Sequence, residues 1–145
     1  QISDSEEDQE IWKYIQENGL ESKVVFTGFK HGKELEELIS KATCIVCPAI
    51  WYENMPNTVI EAYAYGKPVV ASRVGSLAEI VEDGKTGFLF EMKNSKDMAD
   101  KLLQFVKDDM LSATLGKSAR AVCETKYASQ KHMEEVIGVL KGDSK

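Results

Sequence analysis

Residues 44–71 constrain the fold of this chain more than any other stretch, because they read in order as strand, loop, helix and strand. Cys44-Ile45-Val46-Cys47 has the length and β-branched content of a buried strand, and Pro48, which has no N–H for a ladder, stops it. Pro56 suits the first turn of a helix, where a missing N–H costs nothing. From Asn57 to Tyr65 the chain is helical in character, Gly66 is a natural residue just past the helix end, and Val69-Val70-Ala71 resumes a buried strand. Strand, crossover helix and strand make a βαβ unit, whose ligand crevice lies at the carboxyl ends of the strands.

Two carboxylates bracket the start of that helix, Glu53 in the loop before it and Glu61 in or just after its first turn. The amides of Asn57, Thr58 and Val59 precede the first full turn, so they are expected to point into the crevice with the positive end of the helix dipole, an arrangement that suits a phosphate. Helical side chains lean toward the N-terminus, and Glu61 is expected to lean the same way. Amides that hold phosphate, beside carboxylates that accept hydrogen bonds from hydroxyls, point to a nucleotide-sugar. A plainer reading stands next to this one. Thr58, Glu61 and Tyr65 share a helix face, and an acid near a helix start is stabilising with no ligand at all. Spacing by itself leaves both open.

Order and spacing of several motifs narrow the choice. Glu53-x7-Glu61, followed by Ala62 and by Gly66-Lys67-Pro68-Val69-Val70-Ala71, resembles the signature of the family 4 retaining glycosyltransferases, within the glycosyl transferases group 1. The stretch from Gly75-Ser76-Leu77-Ala78-Glu79-Ile80-Val81 through Glu82-Asp83-Gly84-Lys85-Thr86-Gly87-Phe88-Leu89 resembles the segment that follows it in that family, and the match runs from about Asn18 to the last helix.

The resemblance implies an α/β fold: a Rossmann-like parallel sheet flanked by helices, as in the C-terminal half of a two-domain GT-B enzyme. On that expectation residues 1–145 are a partial nucleotide-sugar-binding domain that starts after the domain's first strands. The acceptor domain and the family's basic phosphate clamp have no counterpart here. The implied activity is retaining transfer from a nucleoside-diphosphate sugar, of UDP or GDP type, to an acceptor hydroxyl in polysaccharide or glycoconjugate biosynthesis. Glu53 is then the catalytic candidate, holding the donor sugar's hydroxyls, and Glu61 binds the ribose. The amides of Asn57, Thr58 and Val59 take the diphosphate, while Asn54 and Met55 replace the glycine-aromatic pair usual after the first acid, which bears on sugar choice. Thr27-Gly28-Phe29-Lys30 corresponds to a segment that lies against the base, so Gly28, Phe29 and Lys30 join the donor-binding set. No cofactor or metal beyond the donor is implied, and the isolated chain is expected to transfer nothing. Peripheral association of the longer enzyme with the inner membrane face is a family expectation only.

Composition removes other classes. A net charge of −6, from 24 acids against 18 bases, argues against nucleic acid as a main partner. Apolar content of 43% with 29% charged residues is that of an ordinary soluble globule, and 145 residues suit a single domain. No apolar run approaches the ~20 residues of a membrane span, and residues 1–10 are acidic where a signal peptide would be basic and then apolar, so a cytoplasmic protein is expected. Three cysteines, an odd number, fit a reducing compartment. Cys44-x-x-Cys47 lies in an expected strand, and Cys123, His31 and His132 show no ligand spacing, so the cysteines read as core residues and His31 as a loop residue. No G-x-G-x-x-G follows a strand, which places a dinucleotide-binding domain lower.

Four strands are expected, near Val24, Ile45, Val69 and Phe88. Helices are expected over 10–18, 33–41 and 77–81, from Asn94 or Ser95 onward, and over 111–127 and 129–140. In the last, Met133, Val136 and Ile137 are candidates to face a partner domain. Two rivals to the transferase reading keep the same fold: a nucleotide-sugar epimerase, and a non-catalytic interaction module.

Overall fold

The computed structural model describes residues 6–52 and 56–127. In order the elements are α1 (Glu6–Glu17), α2 (Gly32–Lys41), β1 (Ile45–Cys47), α3 (Asn57–Ala64), β2 (Val69–Ser72), α4 (Gly75–Ile80), β3 (Gly87–Phe90), α5 (Ser95–Lys107) and α6 (Leu111–Lys126). The chain divides into two compact units, residues 1–37 and 38–145. The expected helix over 129–140, with Met133, Val136 and Ile137, lies outside the described residues.

Within the first unit, α1 buries Ile15 (4% exposed), and Trp12 meets Phe26 edge to face with ring centroids 6.0 Å apart. Gly19, at φ 64°, ends the helix: its amide reaches the Gln16 carbonyl at 3.1 Å, and Leu20 N reaches the Ile15 carbonyl at 2.9 Å. These two bonds satisfy carbonyls that a helix end otherwise leaves open.

The expected strand near Val24 does not form. Val24 donates to the Leu20 carbonyl at 3.1 Å, continuing a turn, and Val25 is 79% exposed. β-Branched content makes a segment fit for a sheet, but a ladder needs a neighbouring strand, and residues 24–26 take no strand conformation.

The second unit is built on a parallel sheet in the order β1-β2-β3. Ile45 lies opposite Val69 and Cys47 opposite Ala71; Val69 then lies opposite Gly87, and Ser72 opposite Phe90. The close approach at Gly87 is obligatory, since a Cβ there would fall 1.8 Å from the Val69 carbonyl oxygen. Because successive strand residues face opposite ways, the apolar run splits into two cores. Val69, Ala71 and Leu89 turn to one face, where they meet Val59, Ala62 and Tyr63 of α3, Leu77 and Ile80 of α4, and Ala119 and Val122 of α6. Val70, Phe88 and Phe90 turn to the other and meet Phe105 of α5 and Leu115 of α6. Phe88 and Phe105 stack edge to face at 5.6 Å.

Helix α3 is stopped as its sequence predicts. Gly66, at φ 63°, donates to the Tyr63 carbonyl, and Lys67 donates to the Ala62 carbonyl, each at 2.9 Å. That is the double bond pattern of a glycine-terminated helix. Its flank is set by α6: a Cβ on Gly116 would lie 2.0 Å from the Gly66 carbonyl oxygen, so only glycine permits this approach. Arg120 of α6 also donates through Nη1 to the Ala64 carbonyl.

Candidate functional site at the carboxyl end of the sheet

Where β1 ends, the chain turns out of the sheet and α3 begins, and these two events open a cavity of about 330 Å³. Val46, Cys47 and Pro48 form its sheet side; Ala49, Trp51, Pro56 and Thr58 complete the wall. It thus lies at the carboxyl end of a parallel strand and beside the N-terminus of a crossover helix, as the βαβ reading requires.

Pro56 sits at the helix cap with φ −76° and ψ 96°, and no side chain among the described residues caps the helix. Among the described residues the helix therefore begins without an internal substitute for a ligand at its first amides. One expected donor is spent, however. Val59 N bonds to the Pro56 carbonyl at 2.9 Å and the Val59 side chain is fully buried, so Val59 serves the helix and its core. This corrects the expected set of three outward amides. Tightening of the first turn toward an i to i+3 bond is the physical reason. The amides of Asn57 and Thr58 have no backbone partner among the described residues.

The remaining sequence candidates are placed unevenly. Thr58 is exposed and forms part of the wall; Asn57 is exposed at the first position of α3. Glu61 is exposed, its side chain makes no ion pair or hydrogen bond among the described residues, and it is not among the described residues of the cavity wall. Glu53, Asn54 and Met55 lie outside the described residues. Gly28, Phe29 and Lys30 belong to the first unit. There Gly28 holds φ 64°, Phe29 is 92% exposed beside the His31 ring, and Lys30 pairs with Glu34 at 3.3 Å.

Two supports of the site escaped the sequence reading. Tyr52 lies directly on Gly75: a Cβ at that glycine would fall 2.9 Å from the Tyr52 Cδ1 atom. Gly75, at φ 50°, thereby brings the turn after β2 against the turn after β1. The pattern carries a glycine there, but what the glycine makes room for is decided by a residue 23 positions earlier. The second support lies behind α3. The Tyr63 hydroxyl is 2.6 Å from Thr86 Oγ1, which also accepts from Glu82 N at 3.0 Å. Burial pushes the Tyr63 phenol up to about 12. Hydrogen bonds from Lys85 at 2.5 Å and Lys126 at 3.3 Å hold the Glu82 carboxyl below its usual range. The turn after β2 is also tied down, since Arg73 pairs with Asp83 at 3.1 Å and with Glu91 at 3.4 Å.

The cysteines form no disulfide among the described residues and are half-buried; burial pushes the Cys44 thiol pKa up. Among the described residues no group of histidines, cysteines and acids could hold a metal ion, and no helix is long and apolar enough to cross a membrane.

Comparison with known proteins agrees with this architecture. Residues 2–122 match the family described as Glycosyl transferases group 1. The poly(ribitol-phosphate) α-N-acetylglucosaminyltransferase of Staphylococcus aureus is 33% identical over 133 residues, covering 90% of this chain and 26% of that protein. An uncharacterized glycosyltransferase of Methanocaldococcus jannaschii is 33% identical over 119 residues, covering 82% of this chain and 33% of that protein. Among solved structures, the Anabaena protein HepE in complex with UDP superposes with a TM-score of 0.85 at 26% identity, over 92% of this chain and 36% of that one. The chain thus spans about a quarter to a third of the length of the curated relatives named here. Its three-stranded parallel sheet and flanking helices are the GT-B arrangement of those structures. A motif order read from the sequence, a sheet with its crevice at the expected turn, and a family match over most of its length converge: this chain belongs to the group 1 glycosyl transferases.

Proposed function

We propose that this chain is the donor-binding part of a glycosyltransferase that takes a nucleoside-diphosphate sugar of UDP or GDP type. The observation that carries the reading is the start of α3, uncapped among the described residues, opening on the 330 Å³ cavity at the end of β1, with Thr58 in the wall. In the proposed complex the amides of Asn57 and Thr58 meet the diphosphate, whose charge grows as the sugar leaves, so donors already aimed at it lower the barrier. Glu61, one turn along the same helix, accepts from the ribose hydroxyls. Glu53 holds the donor sugar, and transfer proceeds with retention of configuration, as the family 4 resemblance implies. HepE, solved with UDP and with UDP-glucose, supports the donor class.

The proposal extends to domain organisation. The described sheet has β1 at one edge, with Val46 38% exposed. That edge is where the earlier strands of a complete donor domain would pair, and coverage of only part of each relative supports this. A partner domain would carry the acceptor, so the chain by itself is expected to bind nucleotide weakly and transfer nothing. Polysaccharide or glycoconjugate synthesis in the cytoplasm, with peripheral membrane association of the longer enzyme, completes the reading.

Calorimetric titration with UDP and GDP tests it. Binding is expected at a dissociation constant near the millimolar range, weakened about tenfold in Glu61→Ala by loss of a charge-assisted hydrogen bond. Equal affinity of the variant would remove Glu61 from the site. Absence of nucleotide binding at roughly 10 mM, an energy below about 3 kcal/mol, would remove the donor assignment itself.

A further inference from the structure

A second, smaller cavity of about 180 Å³ opens at the carboxyl ends of the strands, on the α5 face of the sheet. Its apolar wall comes from Pro48 and Ile50 after β1, Phe90 at the end of β3, and Met98 in the first turns of α5. Its polar wall is Ser72 at the end of β2, with Lys93, Asn94 and Ser95 where α5 begins. Pro48 also belongs to the wall of the larger cavity, so the two hollows flank one loop.

Ser72 is the anomaly. Its residue is 1% exposed, yet its Oγ has no hydrogen-bond partner among the described residues. The same sheet face carries Val70, Phe88 and Phe90, so an apolar residue would satisfy this position without leaving a hydroxyl orphaned. The Oγ itself has almost no accessible surface, so a ligand reaches it only if the Ser72 side chain rotates toward the cavity, and a hydroxyl with no partner loses no hydrogen bond by that rotation.

The surroundings decide what kind of ligand. The start of α5 is already satisfied internally: Asn94 Oδ1 accepts from Asp97 N at 3.0 Å, and the Asp97 carboxylate accepts from Glu91 N at 2.8 Å. A carboxylate in the first turn offsets the positive end of the helix dipole, which disfavours an anion. Arg73, adjacent in sequence to Ser72, is held by Asp83 and Glu91. What remains is an apolar wall with a few neutral hydrogen-bonding groups and the Lys93 ammonium, which forms no ion pair among the described residues. The volume is below that of sites for drug-sized ligands.

We propose that this cavity is a second ligand site, which takes a single neutral polyhydroxylated ring of pyranose type. An apolar C–H face of such a ring lies against Ile50, Phe90 and Met98, while its hydroxyl rim bonds Ser72 Oγ, Ser95 and Lys93. The site stands apart from the donor reading, because none of its polar groups belongs to the start of α3.

The test is titration of the isotopically labelled 145-residue chain with methyl α-glucopyranoside, followed by amide and methionine-methyl NMR. Saturable shifts are expected at Ser72, Phe90, Asn94, Ser95 and the Met98 methyl. Ser72→Ala, which removes only the orphaned hydroxyl, is expected to weaken binding about three- to tenfold, the worth of one neutral hydrogen bond. Ser72→Val, which fills the space, is expected to abolish it. Inorganic phosphate is the control for an anion site and is expected to leave these resonances unmoved. The proposal is overturned by absence of shifts at roughly 100 mM glycoside, by shifts confined to Cys47, Ala49 and Thr58, by unchanged affinity in Ser72→Ala, or by phosphate moving the same resonances. Nucleotide titration on the same samples separates this outcome from failure of the donor reading.

Discussion

At the scale of single residues, two buried hydroxyls, that of Tyr63 in α3 and that of Ser72 at the end of β2, have opposite fates. Tyr63 and Thr86 satisfy one another at 2.6 Å, while Ser72 Oγ has no partner among the described residues. Removing the first hydroxyl should therefore destabilise the protein and removing the second should not. Tyr63→Phe is expected to lower unfolding free energy by about 1 kcal/mol in urea titrations, and Ser72→Ala to leave it unchanged or raise it by about 1 kcal/mol. A clear loss of stability in Ser72→Ala would mean that its hydroxyl has a partner after all. The tyrosine also sets an alkaline limit. Its proton is held up to about 12 in the folded chain against 10.0 when unfolded, so the unfolded state binds fewer protons between those values and stability falls as pH rises through that window. Below pH 10.0 this contribution is fully present. Tyr63→Phe is expected to flatten that part of the pH profile, as followed by thermal melts.

At the scale of elements, α3 carries the argument. Its start faces the cavity, its end is closed by Gly66, and its flank touches α6 through Gly116. Gly116→Ala forces a methyl into a backbone carbonyl, which neither helix can avoid by a rotamer change. A loss of about 1–3 kcal/mol is expected in denaturant titration, with weaker nucleotide binding if α3 is displaced. Undiminished stability would show that the two helices separate freely. The end of α3 was legible from Gly66, and the cap of α5 to within Asn94 or Ser95, of which the structure uses Asn94, because both are local bonding patterns that a few neighbouring residues complete. The strand expected near Val24 was not, because a strand's existence depends on a partner that local sequence does not contain. The tightened first turn that occupies Val59 N was equally invisible, since the same residues allow either bond pattern.

Across the whole molecule, β2 is the only described strand with a neighbour on both sides, and all four of its residues are buried. Hydrogen exchange should find its amides the slowest of the sheet, and those of β1 faster. Nucleotide at ten times its dissociation constant should add about 1.4 kcal/mol to stability, and the added protection should centre on the second unit. Protection that instead stayed confined to the first unit would argue that the nucleotide site had been misplaced.

The sequence by itself determined the βαβ succession, the glycine and asparagine signals that close α3 and open α5, and the family, through motifs whose spacing survives translation into a linear string. Only the tertiary structure decided which carboxyl-end residues share a cavity: Thr58 with Val46 and Trp51, Ser72 with Met98, Tyr52 against Gly75. The physical reason is that capping and turn chemistry act within a few residues, whereas a cavity wall and an orphaned hydroxyl are defined by groups that packing alone brings within contact distance.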